Sequence, residues 1–120
     1  MLDATERAGP RRWPRGQKFT LSPEGTEARE AYQAAVLAAR AAGRAALDSA
    51  LAEWATPRAV APGDGVVLAE LGGKPRGLND LAVALEECGI ALAEVRSAVD
   101  RLVTAKLVAP VPLASQIVGA

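Results

Sequence analysis

The order of apolar and polar positions divides the chain into a polar beginning, one long Ala-rich stretch and a more apolar second half. Residues 18–21, KFTL, alternate polar and apolar side chains, which predicts a short half-buried strand. Ser22, Pro23 and Glu24 follow as a helix start, with a cap, a proline suited to the first helical position and an acid near the positive end of the dipole. Strong helix formers come next, so one long helix is predicted from residue 23 to Trp54.

A stripe of mostly small side chains follows this predicted helix at steps of three and four residues. Small residues let two helix backbones approach closely, which suits pairing with a second copy. The alternative is an Ala-rich helix that packs inside its own domain. We favour self-association, because so long a helix has few other places to bury a stripe in a small domain. The stripe consists of Tyr32, Val36, Ala39, Gly43, Ala46, Ala50 and Trp54.

The second half has the apolar spacing of a three-helix core. VVLAELGG predicts a short helix, and residues 80–108 predict two longer helices with a corner at Gly89. Packing alone accounts for the apolar residues of this core, and Cys88 is expected to be a small core residue near the corner. The core positions are Val67, Leu68, Leu71, Leu81, Leu85, Ile90, Val95, Ala98, Val99 and Leu102.

The residues LAELGGKPRGLNDLAVALEECGIALAEVRSAVDRLVTAKLV resemble the winged helix-turn-helix of MarR-type regulators. The likeness covers roughly residues 64–111. Leu81-Ala82 matches the opening of the family's second helix, and VRSAVDRLVTAKLV matches the end of its recognition helix and the entry to the first wing strand. The resemblance implies a winged helix-turn-helix-like three-helix unit with a small β-wing, and together with the long N-terminal helix this predicts a mainly α fold.

A second likeness lies in FTLSPEG, residues 19–25. In MarR-type proteins a strand with such an ending leaves the wing and enters a dimerisation helix, but here it precedes the helix-turn-helix. One reconciliation is that KFTL pairs with LVAPV, so that an N-terminal strand completes a small sheet; Pro110 and Pro112 limit any strand there to a short or edge position. The predicted divisions are a flexible basic arm (residues 1–17), a strand, long dimerisation helix and linker (18–61), and a winged-helix-like unit (62–120).

The composition excludes several classes of function but does not identify one. The 120 residues suit one domain, and 14 basic against 14 acidic residues give a formal charge of zero, so any nucleic-acid surface must be a local patch. Without histidine, and with a single cysteine, the chain cannot supply imidazole metal sites, histidine acid–base catalysis or a zinc cluster of cysteines. We therefore expect no enzyme activity, cofactor or metal. Neither a signal peptide nor an apolar run long enough for a membrane is visible, so a cytoplasmic protein is expected.

The resemblance implies a set of DNA-binding residues. In such domains the first residues of the recognition helix face the base edges, which here selects Arg96 and Ser97. The remaining cations would neutralise phosphates. The alternatives are a solvated helix face for the helix residues and a solubilising N-terminus for the arm. The phosphate-binding candidates are Lys74, Arg76 and Arg101, together with Arg11, Arg12 and Arg15 of the arm.

The predicted function is that of a small homodimeric transcriptional regulator that binds double-stranded DNA. The alternative is a winged-helix protein-interaction or assembly adaptor that no longer reads DNA. That alternative is open because IALAEVRS, at the start of the predicted recognition helix, offers few side chains able to contact bases.

Overall fold

Five helices and three short strands make up the part of the chain that the computed structural model describes, residues 13–14 and 16–112. The chain is mainly helical with one small antiparallel sheet, as the sequence predicts. In chain order the elements are β1 (Lys18–Leu21), α1 (Pro23–Arg40), α2 (Arg44–Ala55), a 3₁₀ turn (Thr56–Arg58), α3 (Asp64–Glu70), β2 (Arg76–Gly77), α4 (Leu78–Leu85), a second 3₁₀ turn (Glu86–Cys88), α5 (Leu92–Thr104) and β3 (Val108–Pro110).

The N-terminal strand lies in the middle of the sheet, in the order β2-β1-β3. Both of its pairings are antiparallel, with Phe19 opposite Arg76 on one side and Thr20 opposite Ala109 on the other. The predicted pairing of KFTL with LVAPV is thus confirmed. β3 is three residues long and lies at an edge, the position that a strand containing Pro110 requires.

The prediction of one long helix from residue 23 to Trp54 is wrong. The chain forms two helices, α1 and α2, which pack against each other, and Gly43 caps α2 with a φ of +104° that L-residues rarely adopt. Trp54 of α2 folds back onto α1: its Nε1 donates to the carbonyl of Ala28 at 2.9 Å, and its ring lies 5.3 Å from that of Tyr32. The two ends of the stripe, Tyr32 and Trp54, therefore contact each other within one chain, which weakens the argument for a dimerisation helix.

The start of α1 follows the sequence signals. Ser22 is the N-cap, its hydroxyl accepts a hydrogen bond from the Gly25 backbone at 3.0 Å, and Pro23 takes the first helical position. Gly25 packs directly on the backbone carbonyl of Leu107, where a Cβ atom would find no room. This close approach fixes the first turn of α1 against the chain segment between α5 and β3.

The three-helix core predicted for the second half is confirmed. Its buried side chains come from α3, α4 and α5, and Phe19 of β1 joins them. Two positions at the corner differ: Ile90 is only partly buried, and Cys88, expected in the core, is exposed. Cys88 lies in the 3₁₀ turn that extends α4 by three residues, and this turn carries it out of the packed layer.

Among residues 13–14 and 16–112, no helix combines the length and the hydrophobicity that crossing a membrane requires.

Candidate nucleic-acid interface

The α4–α5 corner places α5 on the core with one face outward. The chain turns at Gly89, with φ +78°, and α5 starts where the Glu94 carboxylate accepts a hydrogen bond from the Ala91 backbone at 3.0 Å. Glu94 is thus engaged with the backbone of its own helix. The buried face of α5 consists of Val95, Ala98, Val99 and Leu102, and its exposed residues include Ala93, Glu94, Arg96 and Arg101.

Arg101 is bound within the protein. Its Nε and Nη2 donate to the two carboxylate oxygens of Asp64, each at 2.8 Å. Asp64 is 2% exposed, and it also accepts a hydrogen bond from the Ala61 backbone at 3.0 Å. The hydrogen bonds that Arg101 donates to Asp64 raise the pKa of Arg101, against the opposing effect of burial. This bidentate ion pair connects the start of α3 to α5. Arg101 therefore stabilises the position of α5, and its guanidinium is already engaged and not free to bind a phosphate.

Two of the predicted phosphate contacts lie in the segment between α3 and α4. Lys74 is exposed in the turn before β2. Arg76, in β2, is half-buried; its Nη1 lies 3.9 Å from the Glu70 carboxylate, and its buried Nε has no hydrogen-bond partner among the described residues. Lys74 is therefore accessible to a ligand, whereas Arg76 is partly withdrawn beside an acid.

Arg96 lines a cleft that we call the sheet-end cleft. It has a volume of about 510 Å³ and contains a second cation, Lys18, which is exposed at the start of β1, and one carboxylate, Asp80. Its charged side chains therefore sum to one net positive charge. The lining residues are Trp13, Pro14, Gly16, Gln17, Lys18, Gly77, Leu78, Asn79, Asp80 and Arg96.

The sheet-end cleft lies where the chain enters and leaves the sheet. The Gln17 side chain, 8% exposed, donates to the carbonyls of Lys18 at 2.8 Å and Val111 at 2.6 Å. Trp13 packs edge-on against Phe19, with ring centroids 5.0 Å apart. These contacts hold the segment that precedes β1 beside the segment that follows β3, and they anchor it to the hydrophobic core.

Ser97, the second predicted base reader, faces a different surface. It lines a groove of about 420 Å³ between α3 and α5, which we call the α3–α5 groove and which also contains Glu94 and Arg101. Arg96 and Ser97 are adjacent in sequence, but about 100° of helix rotation separates them, so each borders its own depression. The structure does not bring these two residues together in one cleft.

Three of the predicted DNA-binding residues, Arg11, Arg12 and Arg15, lie outside the described residues. Lys18, the residue directly after the predicted basic arm, was not among the predicted DNA-binding residues. Asp64 was missed as the partner of Arg101, because 37 residues separate the two and only the packing of α3 on α5 brings them together.

The described residues contain no group of three or more acidic or cysteine side chains able to hold a metal ion. No protein-family model matches the chain, and neither a curated protein nor a solved structure does so.

Proposed function

We propose that residues 64–111 form a winged-helix-like unit whose central sheet strand is supplied by β1, and that this unit binds double-stranded DNA. Support comes from the element order of the second half: a helix, a short strand, two helices around a tight corner and an outgoing strand. β1 pairs with both strands of that half, which supports assigning it the role of a second wing strand although it precedes the helices in sequence.

The observation that carries the proposal is that Lys18 and Arg96 line the same cleft. These two cations come from β1 and α5, the elements that correspond to the wing and the recognition helix in the resemblance. Arg11, Arg12 and Arg15 belong to the same stretch of sequence as Trp13 and Lys18. A wing with basic residues beside a recognition helix is a suitable surface for a DNA backbone.

The chemistry of α5 favours phosphate contacts over base reading. Ala93, which is exposed, and Ser97, which is half-buried, offer a methyl group and one hydroxyl, whereas strong base contacts come from arginine, lysine, asparagine or glutamine. Arg96 is the one predicted base reader with a long cationic side chain, and Arg101 is held by Asp64. We therefore propose binding with weak sequence preference. The proposed setting is transcriptional regulation in the cytoplasm.

The second candidate is a protein-interaction adaptor, and charge at the α4–α5 corner favours it. Glu86, Glu87 and Glu94 are all exposed near the corner, where negative charge repels phosphate. Val83 on α4 is 71% exposed, as an apolar contact residue would be. The two candidates differ in one property: only DNA binding requires Lys18 and Arg96.

The test is fluorescence anisotropy with a labelled random duplex at low salt. Lys18→Ala and Arg96→Ala should each weaken binding, because each removes a cation from the sheet-end cleft. Arg44→Ala is the matched control: Arg44 is an exposed arginine of α2, and α2 contributes no residue to this cleft. Loss of affinity in both cleft variants with an unchanged control supports the proposal. Absence of binding by the wild-type protein at low salt, or equal losses in all three variants, would refute it.

A further inference from the structure

The N-terminal half of the protein (β1, α1 and α2) is attached to the C-terminal half (α3 to β3) through one extended interface. β1 pairs only with β2 and β3, which both belong to the C-terminal half, and these two do not pair with each other. The C-terminal half therefore has a sheet with its middle strand missing until β1 is inserted. All the strand pairing in the described part of the chain depends on that insertion.

Directional contacts beyond the sheet reinforce this interface. The Ser22 backbone donates to the Leu107 carbonyl at 3.0 Å, and the Ser22 hydroxyl donates to the Lys106 carbonyl at 2.7 Å. In addition, Arg29 Nε of α1 donates to the Ala69 carbonyl of α3 at 3.0 Å. These contacts require the two halves to be correctly positioned relative to each other. They can form equally well when the two halves belong to different chains.

The only covalent connection between the halves is a short segment with a strained residue. After the 3₁₀ turn Thr56–Arg58, Ala59 has a φ of +63°, a left-handed conformation that disfavours L-residues by about fivefold or more in population. Pro57 and Pro62 are close on either side. Of the two, Pro62 lies within residues 59–63, and it biases the preceding Ala61 toward an extended backbone, which favours an opened connection.

We propose that the chain exchanges its N-terminal half with a second copy, so that β1, α1 and α2 of each protomer complete the C-terminal half of the other. Exchange re-forms every contact of the interface in trans, and opening residues 59–63 releases Ala59 from its left-handed conformation. Strained hinge segments of this kind promote such exchange. The dimer that results does not require the stripe of small residues on α1 and α2.

Exchange has a consequence for the sheet-end cleft, and this part rests on the proposed DNA binding. In the exchanged dimer Lys18 comes from one protomer, and Arg96 and Asp80 come from the other. Each cleft is then composite, and two clefts related by a two-fold axis are presented to the duplex, as half-sites of a DNA-binding dimer are.

Disulfide trapping tests the exchange independently of DNA. Thr20 and Ala109 are directly opposite each other in the β1–β3 pair, so a Thr20→Cys, Ala109→Cys variant in a Cys88→Ser background can form a cross-strand disulfide. The protein is refolded at increasing concentration, oxidised and run on a denaturing gel without reductant. Exchange predicts a covalent dimer that increases with concentration; a covalent monomer at every concentration overturns the proposal. Each cysteine alone, in the Cys88→Ser background, measures disulfides formed by random collision.

Two further measurements test whether the dimer forms without the introduced cysteines and whether strain at Ala59 favours it. Sedimentation of the wild-type protein, refolded at the same concentrations, should show the dimer without any substitution, and a monomer throughout would again overturn exchange. Ala59→Gly removes the strain from two hinges per dimer and should weaken the dimer by about 25-fold, at about fivefold per copy. A dimer unaffected by Ala59→Gly would show that the hinge does not drive exchange as proposed.

The DNA consequence has a separate readout. Lys18→Ala and Arg96→Ala proteins, refolded together, should regain binding that neither has alone, because half of the clefts in the mixed dimer then contain both cations. Trapped dimers without DNA binding would refute the proposed function and leave exchange standing. Trapped dimers that bind DNA without this complementation would refute the composite cleft.

Discussion

The ion pair between Asp64 and Arg101 should be unequally sensitive to the loss of its two members. Asp64 is almost completely buried, at 2% exposure, whereas the Arg101 side chain is 44% exposed. Replacing Arg101 with Met keeps an unbranched side chain that reaches about as far as Nε, but leaves a buried carboxylate with one backbone donor, that of Ala61. Replacing Asp64 with Asn keeps an acceptor for Ala61 and leaves an arginine that water can reach.

These differences set the expected magnitudes. Removing one partner of a fully buried pair costs about 3–5 kcal/mol, and the exposure of Arg101 reduces this to about 2–3 kcal/mol for Arg101→Met. Asp64→Asn should cost about 1 kcal/mol, because the guanidinium regains hydration. The free energies of unfolding of the two variants should therefore differ by about 1 kcal/mol or more, a large fraction of the stability of a small domain.

Urea unfolding followed by tryptophan fluorescence measures the difference, since Trp54 lies in the core. Arg44→Met is the control, because Arg44 forms an exposed pair with Asp48 that should contribute little, about 0–0.5 kcal/mol. Equal losses of stability for Asp64→Asn and Arg101→Met, or a greater loss for Asp64→Asn, would refute the argument that an unpaired buried carboxylate costs more than an unpaired arginine.

Three further predictions concern the backbone contacts and the single tyrosine. Gly25→Ala should cost about 1–3 kcal/mol, since its Cβ would overlap the Leu107 carbonyl; Gly63→Ala, in open space and with negative φ, is the control and should be neutral or slightly stabilising in urea unfolding. Gly43→Ala should cost about 1–2 kcal/mol because of the positive φ between α1 and α2, with little change in helix content by circular dichroism; unchanged stability would show that the break does not require glycine. Burial, and secondarily the electrostatic effect of Cys88, raises the pKa of Tyr32 above the ordinary value of 10.0, so Tyr32 should titrate at higher pH in the folded protein than in the unfolded chain, as measured by ultraviolet absorbance. Because the Tyr32 hydroxyl ionises at lower pH in the unfolded chain than in the folded protein, its contribution to stability is complete below pH 10.0 and is lost as pH rises through the folded pKa. Tyr32→Phe should lack this loss of stability at alkaline pH. A wild-type and a Tyr32→Phe protein with the same dependence of stability on pH would contradict the raised pKa.

The parts of the fold that the sequence predicts are those governed by local rules. The apolar spacing of Leu81, Leu85, Val95 and Leu102 defines one face on each helix, and these residues are buried as predicted. Ser22 and Pro23 mark the start of α1 because capping is a property of neighbouring residues. The pairing of β1 with β3 was predictable for a different reason: a short alternating strand and a proline-limited edge strand each lacked a partner.

The features of the fold that the sequence does not predict are those for which two local conformations have similar energy. Helix formers flank Gly43 on both sides, so the pattern alone does not decide between one long helix and a hairpin; Trp54 packing on α1 favours the hairpin. The same applies to the candidate site. The sequence does not distinguish Arg76, Arg96 and Arg101 from one another. In the structure Arg76 lies beside Glu70, Arg101 pairs with Asp64, and Arg96 lines the sheet-end cleft. These differences arise from the packing of the helices, which the sequence pattern does not show.

The salt dependence of DNA binding tests the central proposal most directly. Each phosphate contact contributes about 0.9 to the slope of log affinity against log salt concentration, so the slope for Lys18→Ala, Arg96→Ala should be smaller than that of the wild type by about 1.8. Arg44→Ala should keep the wild-type slope. A wild-type affinity that does not change with salt, or a double variant with the wild-type slope, would contradict DNA binding through the sheet-end cleft.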